Sequence, residues 1–228
     1  MSLLKKFLLA SVTAALLCLG SATVALADTT NFNFETTPAT SPPSSGSLTS
    51  LTITQGGLTM VLTRPGSSFD IFNATGSGFA ASWGARVLDP FSHFNSATPF
   101  NANFSQALSS ISIDMGDFTP SDLDTASLVA YDGLDGTGSI VGSSSVNCCD
   151  AGSGFVFVTL TVSGAGIRSV RFIGGSPSFP NSLYYDNINV TFAQGPAIPE
   201  PATMLLLGSG LVGLAAKVRK RRKGSKSD

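Results

Sequence analysis

The sequence predicts an all-β protein, an antiparallel β-sandwich of the jelly-roll type, and three observations carry this prediction. Short apolar runs that alternate with polar residues recur along the middle of the chain, separated by Gly, Asp and Pro turns. The chain has 24 glycines and 12 prolines but only 12% charged residues, so strong helix formers are scarce. No amphipathic helical window of useful length interrupts the pattern. Short strands at such spacing are typical of sandwiches and jelly rolls.

Ten segments are predicted as strands because their side chains alternate and turn residues bound them. Ile111–Met115 places three apolar side chains on one face, whereas Phe155–Val162 is β-branched or aromatic on both faces, as in a central strand. The pair Ser163-Gly164 predicts a turn directly after that strand. In chain order the predicted strands are Asn31–Glu35, Leu48–Thr54, Leu58–Thr63, Ala85–Leu88, Ile111–Met115, Ser127–Tyr131, Ser139–Ser143, Phe155–Val162, Ile167–Ile173 and Asn187–Phe192.

The first 27 residues have the pattern of a secretory signal peptide. Lys5 and Lys6 precede an apolar run, and Ala25-Leu26-Ala27 supplies small residues at the positions where signal peptidase requires them. Cleavage is therefore predicted before Asp28, with a retained membrane anchor as the alternative. The pattern predicts export through the inner membrane.

The C-terminal segment, residues 197–228, combines three features in a fixed order. Pro199, Glu200 and Pro201 come first, and an apolar run of 17 residues, 202–218, follows. As a helix this run would be about 25 Å long, which is short but within the range of a bilayer span. Seven Lys or Arg residues between Lys217 and Lys226 predict that the tail stays in the cytoplasm. A single C-terminal transmembrane helix is therefore predicted.

This C-terminal pattern resembles the PEP-CTERM sorting signal of Gram-negative bacteria. The resemblance implies that an exosortase recognises the motif at Pro199, Glu200 and Pro201, removes the membrane span, and releases the protein or joins it to the envelope. Proteins with this signal typically accompany exopolysaccharide, biofilm or floc formation. The expected localisation is therefore transient anchoring in the inner membrane, followed by the cell envelope or extracellular matrix.

The segment between the two ends, residues 28–196, has a charge balance that the whole chain conceals. The formal charge of the chain is −1, but residues 28–196 carry four basic side chains against twelve acidic ones, which gives −8, and no lysine. Phosphate contacts need clustered cations, so nucleic-acid binding is excluded for this domain. Residues 36–47 are rich in Ser, Thr and Pro, which predicts an exposed loop.

The residues needed for catalysis are scarce, so the domain is predicted not to be an enzyme. His93 is the only histidine of the chain, and no nucleophile-elbow motif surrounds any serine. Glu35 is the only glutamate between residues 28 and 196, and the aspartates mostly stand at turns, where Asp is favoured for backbone reasons.

The segments FNFE (residues 32–35) and YYDNINV (residues 184–190) resemble the first and last strands of galactose-binding-like jelly rolls and carbohydrate-binding modules. In those folds the two end strands lie side by side, and a calcium ion commonly joins them. The resemblance implies calcium ligands at Glu35 and Asp186, completed by backbone carbonyls. The alternative is an exposed Glu35 and an Asp186 that only caps a turn. A second acidic run, Met115 to Thr125, misses the EF-hand spacing and is predicted to be a solvated loop.

Sugar binding by such folds uses exposed aromatic side chains as a platform. Trp83, Tyr184 and Tyr185 are the candidates for a glycan platform, with Phe91 and Phe94 nearby in the sequence. The first functional hypothesis is a structural or adhesive protein of an extracellular polysaccharide matrix. The second is a carbohydrate-binding module that recognises a specific matrix glycan.

Cys148 and Cys149 are adjacent in a segment predicted to be exported. Exported thiols tend to be paired, so a vicinal disulfide between the two is predicted. A reduced pair and links between chains are the alternatives.

Overall fold

The computed structural model describes residues 27–37, 48–90, 94–118, 122–149 and 154–193. All of them lie in one structural unit, Ala27–Ala193, and the second unit, Met1–Leu26 with Gln194–Asp228, lies outside the described residues. The predicted signal peptide up to residue 26, the predicted membrane span and most of the predicted 36–47 loop therefore fall outside this description. Among the residues that are described, no helix is long and apolar enough to cross a bilayer.

Ten antiparallel strands build the described unit, with one short 3-10 helix at Ala81–Trp83. Apolar and polar side chains alternate along most strands, as in β3, where buried and half-buried residues take turns. The strands are β1 (Ala27–Phe32), β2 (Ser50–Gln55), β3 (Leu58–Thr63), β4 (Asp70–Asn73), β5 (Arg86–Asp89), β6 (Phe100–Phe118), β7 (Asp124–Tyr131), β8 (Ile140–Cys148), β9 (Phe155–Gly175) and β10 (Tyr184–Ala193).

Two long strands, β6 and β9, pair with each other and connect the two layers of the sandwich. The first part of β6, residues 101–104, pairs with β3, and its later part, residues 108–116, pairs with β10. β9 pairs with β6 over its length, and its second half also pairs with β7. β8 packs against the first half of β9, because a Cβ on Gly142 would lie 2.8 Å from the Val162 Cγ1. The sheet thus closes on itself as two packed layers.

The core between the layers is apolar and aromatic. Phe100 stacks on Phe172 with ring centroids 5.3 Å apart, and Tyr185 meets both rings edge-on. A smaller cluster of Ala74, Trp83 and Val87 is packed against further aromatic rings. Aromatic pairs in such geometries add to the free energy gained by burial.

The predicted fold class, an all-β antiparallel sandwich, is confirmed, whereas several strand predictions need correction. β1 is Ala27–Phe32 rather than Asn31–Glu35, because Phe34 has a φ of 59° and the chain turns there. The predicted turn at Ser163-Gly164 does not form, and two predicted strands are the single strand β9. β6 extends far beyond Ile111–Met115, and β4 was not predicted. The first and last strands do lie side by side, since Phe32 pairs with Ile188.

Candidate functional site

Glu35 lies in the turn after β1 and reaches the loop before β5. Its Oε1 atom accepts hydrogen bonds from the backbone N–H groups of Ala85 (2.7 Å) and Arg86 (3.0 Å). The intervening approach is close, since a Cβ on Gly84 would collide with that same carboxylate, and Gly84 has a φ of 63°. Two N–H donors thus hold one oxygen of Glu35 in place and leave the other oxygen for another partner.

Asp186 is the buried counterpart of Glu35, on β10. The residue has 0% of its surface exposed, and neither carboxylate oxygen has a hydrogen bond of ordinary geometry among the described residues. It pairs across the sheet with Asp114, which places the two side chains on the same face. Burial, with the neighbouring carboxylates of Glu35 and Asp114, raises the pKa of Asp186 to about 9, although the Asn187 N–H lowers it in part.

A bulge in β10 brings amide side chains to the same place. Asn187 has a φ of 48°, and the pairing with β6 shifts between Asp186 and Asn189. The Asn187 amide donates to Asp114 Oδ2 and to the Ser82 carbonyl, both at 3.0 Å. Asn31 donates to the Asn187 side chain at 3.2 Å, which leaves the Asn31 Oδ1 buried without a partner. The bulge therefore gathers oxygen acceptors rather than donors.

This arrangement fits a hard cation. Asp186 supplies two buried oxygens without donors and Glu35 supplies one, and such unsatisfied acceptors are costly unless a cation or protons meet them. Calcium accepts carboxylate, amide and carbonyl oxygens in variable geometry. Among the described residues, no three His, Cys, Asp or Glu side chains are close enough to hold an ion alone. Neutral oxygens must therefore complete any shell, and Asn31 and Ser82 offer them.

The predicted glycan platform is wrong for two of its three residues. Trp83 and Tyr185 have 0% of their surface exposed, so neither ring can receive a sugar. Trp83 packs edge-on against Phe155 with centroids 4.6 Å apart. The Tyr185 hydroxyl donates to Asn181 Oδ1 at 2.5 Å and accepts from the Gly174 N–H at 2.8 Å. These rings are core because burying so much apolar area outweighs their loop-like sequence context.

Tyr184 is half-buried among Phe72, Phe79 and Phe118. An exposed aromatic pair exists elsewhere: Phe94 and Phe179 are 38% and 43% exposed, with centroids 5.4 Å apart. Phe91 lies outside the described residues. The sequence could name Phe94 from its aromatic-rich loop, but nothing in the sequence brings Phe179 to it.

A polar cavity of about 350 Å³ lies near this aromatic pair, lined in part by Thr98, Asn101, Asp135 and Arg171. Asp135 Oδ1 accepts from Asn101 at 3.2 Å and from Asn103 at 2.6 Å, and Arg171 donates to the Asp135 carbonyl at 2.8 Å. Sequence reasoning missed this cavity, because its residues come from four separate segments of the chain.

The acidic run Met115 to Thr125 is not a solvated loop. Asp117 belongs to the end of β6, and Asp124 begins β7 with 0% of its surface exposed. Burial, with the charges of Asp117 and Asp122, raises the pKa of Asp124 to about 7, while the Ser182 hydroxyl lowers it slightly. Cys148 pairs across the sheet with Asp124, and both Cys148 and Cys149 are buried.

Pro199, Glu200 and Pro201 lie outside the described residues, and the sequence itself places them. Residues 197–222 match the family model for the PEP-CTERM protein-sorting motif. The chain thus carries this motif, which implies export and exosortase-dependent sorting to the cell surface.

Three solved structures are similar to the described domain. The K2 cleaved adhesin domain of Lys-gingipain has 15% identity and a TM-score of 0.45, over 72% of this chain and 98% of that one. The K1 domain of the same protein from Porphyromonas gingivalis has 14% identity and a TM-score of 0.40, over 74% and 99%. The K3 domain has 14% identity and a TM-score of 0.41, over 73% and 99%. No curated protein matches the chain.

Proposed function

We propose that this chain is an exosortase-sorted surface protein with a structural or adhesive role in an extracellular polysaccharide matrix. The observation that carries the proposal is the sorting motif at residues 197–222, behind a lysine-free domain with a formal charge of −8. An acidic domain stays soluble by self-repulsion and can bind divalent cations, which suits a hydrated matrix. The partners are then the exosortase, the inner membrane before processing, and extracellular polysaccharide.

The sorting step is tested by the variant Glu200→Ala in a bacterium that carries an exosortase. The variant should remain in the inner membrane at its unprocessed mass, while the control Ala202→Ser is processed as the wild type is. Cell fractionation and intact mass spectrometry measure both. Equal release of Glu200→Ala and wild type would contradict the role of the triplet.

We propose a non-enzymatic role for the domain. The support is chemical: the sequence offers one histidine and, between residues 28 and 196, one glutamate. Glu35 is engaged by two backbone N–H donors, which suits a ligand or a structural contact more than a general acid.

We further propose that calcium joins the two ends of a jelly-roll-type domain at Glu35 and Asp186. Glu35 follows β1 and Asp186 lies on β10, so an ion between them would link the first and last strands. Support comes from the burial of Asp186 without donors and from the unpartnered Asn31 Oδ1 on β1. The ion would replace the proton that the raised pKa of Asp186 retains, and its charge would offset the repulsion with Asp114.

A carbohydrate-binding module is the second candidate function, at a surface other than the predicted platform. Phe94 and Phe179 offer exposed rings, and two hydrogen bonds of Asn181, to the Phe94 and Thr98 carbonyls, connect them to the polar cavity. The loop is held from inside, because buried Arg64 donates to four backbone carbonyls, among them that of Thr98. Exposed rings beside rigid polar groups are the combination that sugar binding requires.

The two functions are separated by a glycan array probed with the exported protein. Specific binding that Phe179→Ala removes supports the carbohydrate-binding module. The matched control is Phe157→Ala, because Phe157 is similarly exposed (37%) but lies on β9, away from the cavity-lining residues. Absence of binding to any glycan, with sorting intact, favours the structural role.

A further inference from the structure

Two adjacent thiols meet where β8 ends. Cys148 is the last residue of β8, and Cys149 has a φ of 66°, in the left-handed region that non-glycine residues seldom adopt. The Cys149 Sγ contacts the Cys148 Sγ at 2.6 Å and the Val156 carbonyl at 3.6 Å. The chain reversal after β8 therefore already holds the two sulfur atoms against each other.

The surroundings of the pair disfavour thiolates in the folded domain. The two residues are only 6% and 4% exposed. Contact with Cys148, burial, and the charges of Asp124 and Asp117 raise the pKa of the Cys149 thiol far above its usual range. Because the thiolate is the species that attacks a disulfide, the folded pair reacts slowly with oxidants and reductants alike.

We propose that Cys148 and Cys149 form a vicinal disulfide during export, before the domain folds around them. In the unfolded chain both thiols are exposed to solvent. One thiolate attacks a disulfide-type oxidant of the exported compartment, forming a mixed disulfide and releasing one thiol. The neighbouring thiolate then displaces the second thiol. Two S–H bonds are lost, one S–S bond forms, and two electrons and two protons end on the oxidant, which becomes a dithiol.

Folding then buries a bond that would otherwise be reduced easily. Adjacent Cα atoms lie about 3.8 Å apart, below the usual separation of disulfide-bonded residues, so the ring is strained and its bond more reducible. The ring encloses only two residues, so it adds little stability by loop closure. Its effect is local, at the end of β8 beside the start of β9, and depends neither on sorting nor on calcium.

The test uses the full-length protein exported by a bacterial host. The protein is denatured with an alkylating agent and without reductant, and its intact mass is measured. We expect no alkylation of the pair and a mass lower by two hydrogen atoms than that of the dithiol. Reductant added in denaturant should then give two alkyl groups. Cys18 adds a third only if the first 27 residues remain, which the mass itself reports.

The control is Cys149→Ser, which should take up one alkyl group without reductant; because the assay is run in denaturant, it does not depend on folding of the variant. A second measurement applies the same reductant to the folded wild type, where reduction should be much slower than in denaturant. Two alkyl groups on the denatured wild type without reductant would overturn the proposal. So would a dimer on a gel that disappears with reductant.

Discussion

Calcium binding by this domain should release a proton, and the variant Asp186→Asn should abolish that coupling. In the cation-free domain, burial and the carboxylates of Glu35 and Asp114 raise the pKa of Asp186 to about 9. At pH 7 the carboxyl is two units below this pKa, so about 99% of it is protonated. A cation ligand must be ionised, so binding displaces about one proton and the affinity rises about tenfold per pH unit between roughly pH 6 and 8.

The same group sets a pH dependence of stability whose sign is fixed. Asp186 has a raised folded pKa, so the folded state holds a proton that the unfolded state has lost. The free energy of unfolding without calcium is therefore highest below the ordinary pKa of 3.8 and falls as the pH rises toward about 9. At about 1.4 kcal/mol per pH unit, the loss by pH 7 is about 4 kcal/mol as an upper bound. Calcium should restore much of it.

Titration calorimetry in two buffers of different ionisation enthalpy measures the released proton, and melting temperatures with calcium or chelator measure the stability. Asp186→Asn should lose the calcium response and show a flatter pH profile. Asp132→Asn is the matched control: it removes one charge in the β7–β8 turn, where Asn keeps the oxygen that accepts from the Ser139 N–H. A calcium affinity of the wild type that is constant from pH 6 to 8 would refute the reasoning.

Three further perturbations test separate parts of the structure. Glu35→Gln keeps an oxygen for the two backbone N–H donors, so folding by circular dichroism should be unchanged, while calorimetry should show calcium binding weakened about tenfold or more. Trp83→Ala should lower the free energy of unfolding by about 3–5 kcal/mol in urea titrations, because the ring is buried; a small loss would contradict that burial. Asp124→Asn should remove the part of the stability decline that lies between pH 4 and about 7, measured by melting temperature, and leave the decline above pH 7 in place.

The strands that alternate cleanly could be predicted from the sequence, and the long ones could not. Leu58–Thr63 was predicted at its observed bounds, because buried and half-buried residues alternate along it. In β9 the pair Ser163-Gly164 looks like a turn, but Gly164 stays extended, since its missing Cβ leaves room for Val141 from β8. Local sequence reports turn propensity, whereas packing across the sandwich decides whether the turn forms.

The calcium ligands and the aromatic residues differ in how much of their setting the sequence carries. Glu35 and Asp186 could be named because they flank the two end strands, and those strands do pair. Their roles needed the structure, since the bulge at Asn187 and the burial of Asp186 arise from contacts across the sheet. Trp83 was misplaced because a short 3-10 helix before Gly84 turns the ring inward, and no alternation announces so short an element.

The formal charge of −8 is larger than the charge the folded domain carries without calcium. With a pKa of about 9, Asp186 is neutral at pH 7, so the charge is nearer −7, before the partial titration of Asp124 is counted. A calcium ion adds two positive charges and displaces one proton, so binding at Asp186 changes the net charge by only one unit. The long-range field that keeps copies of the domain apart is thus nearly unchanged by binding. Calcium should therefore act mainly on the joint between β1 and β10, raising the melting temperature with little effect on electrophoretic mobility.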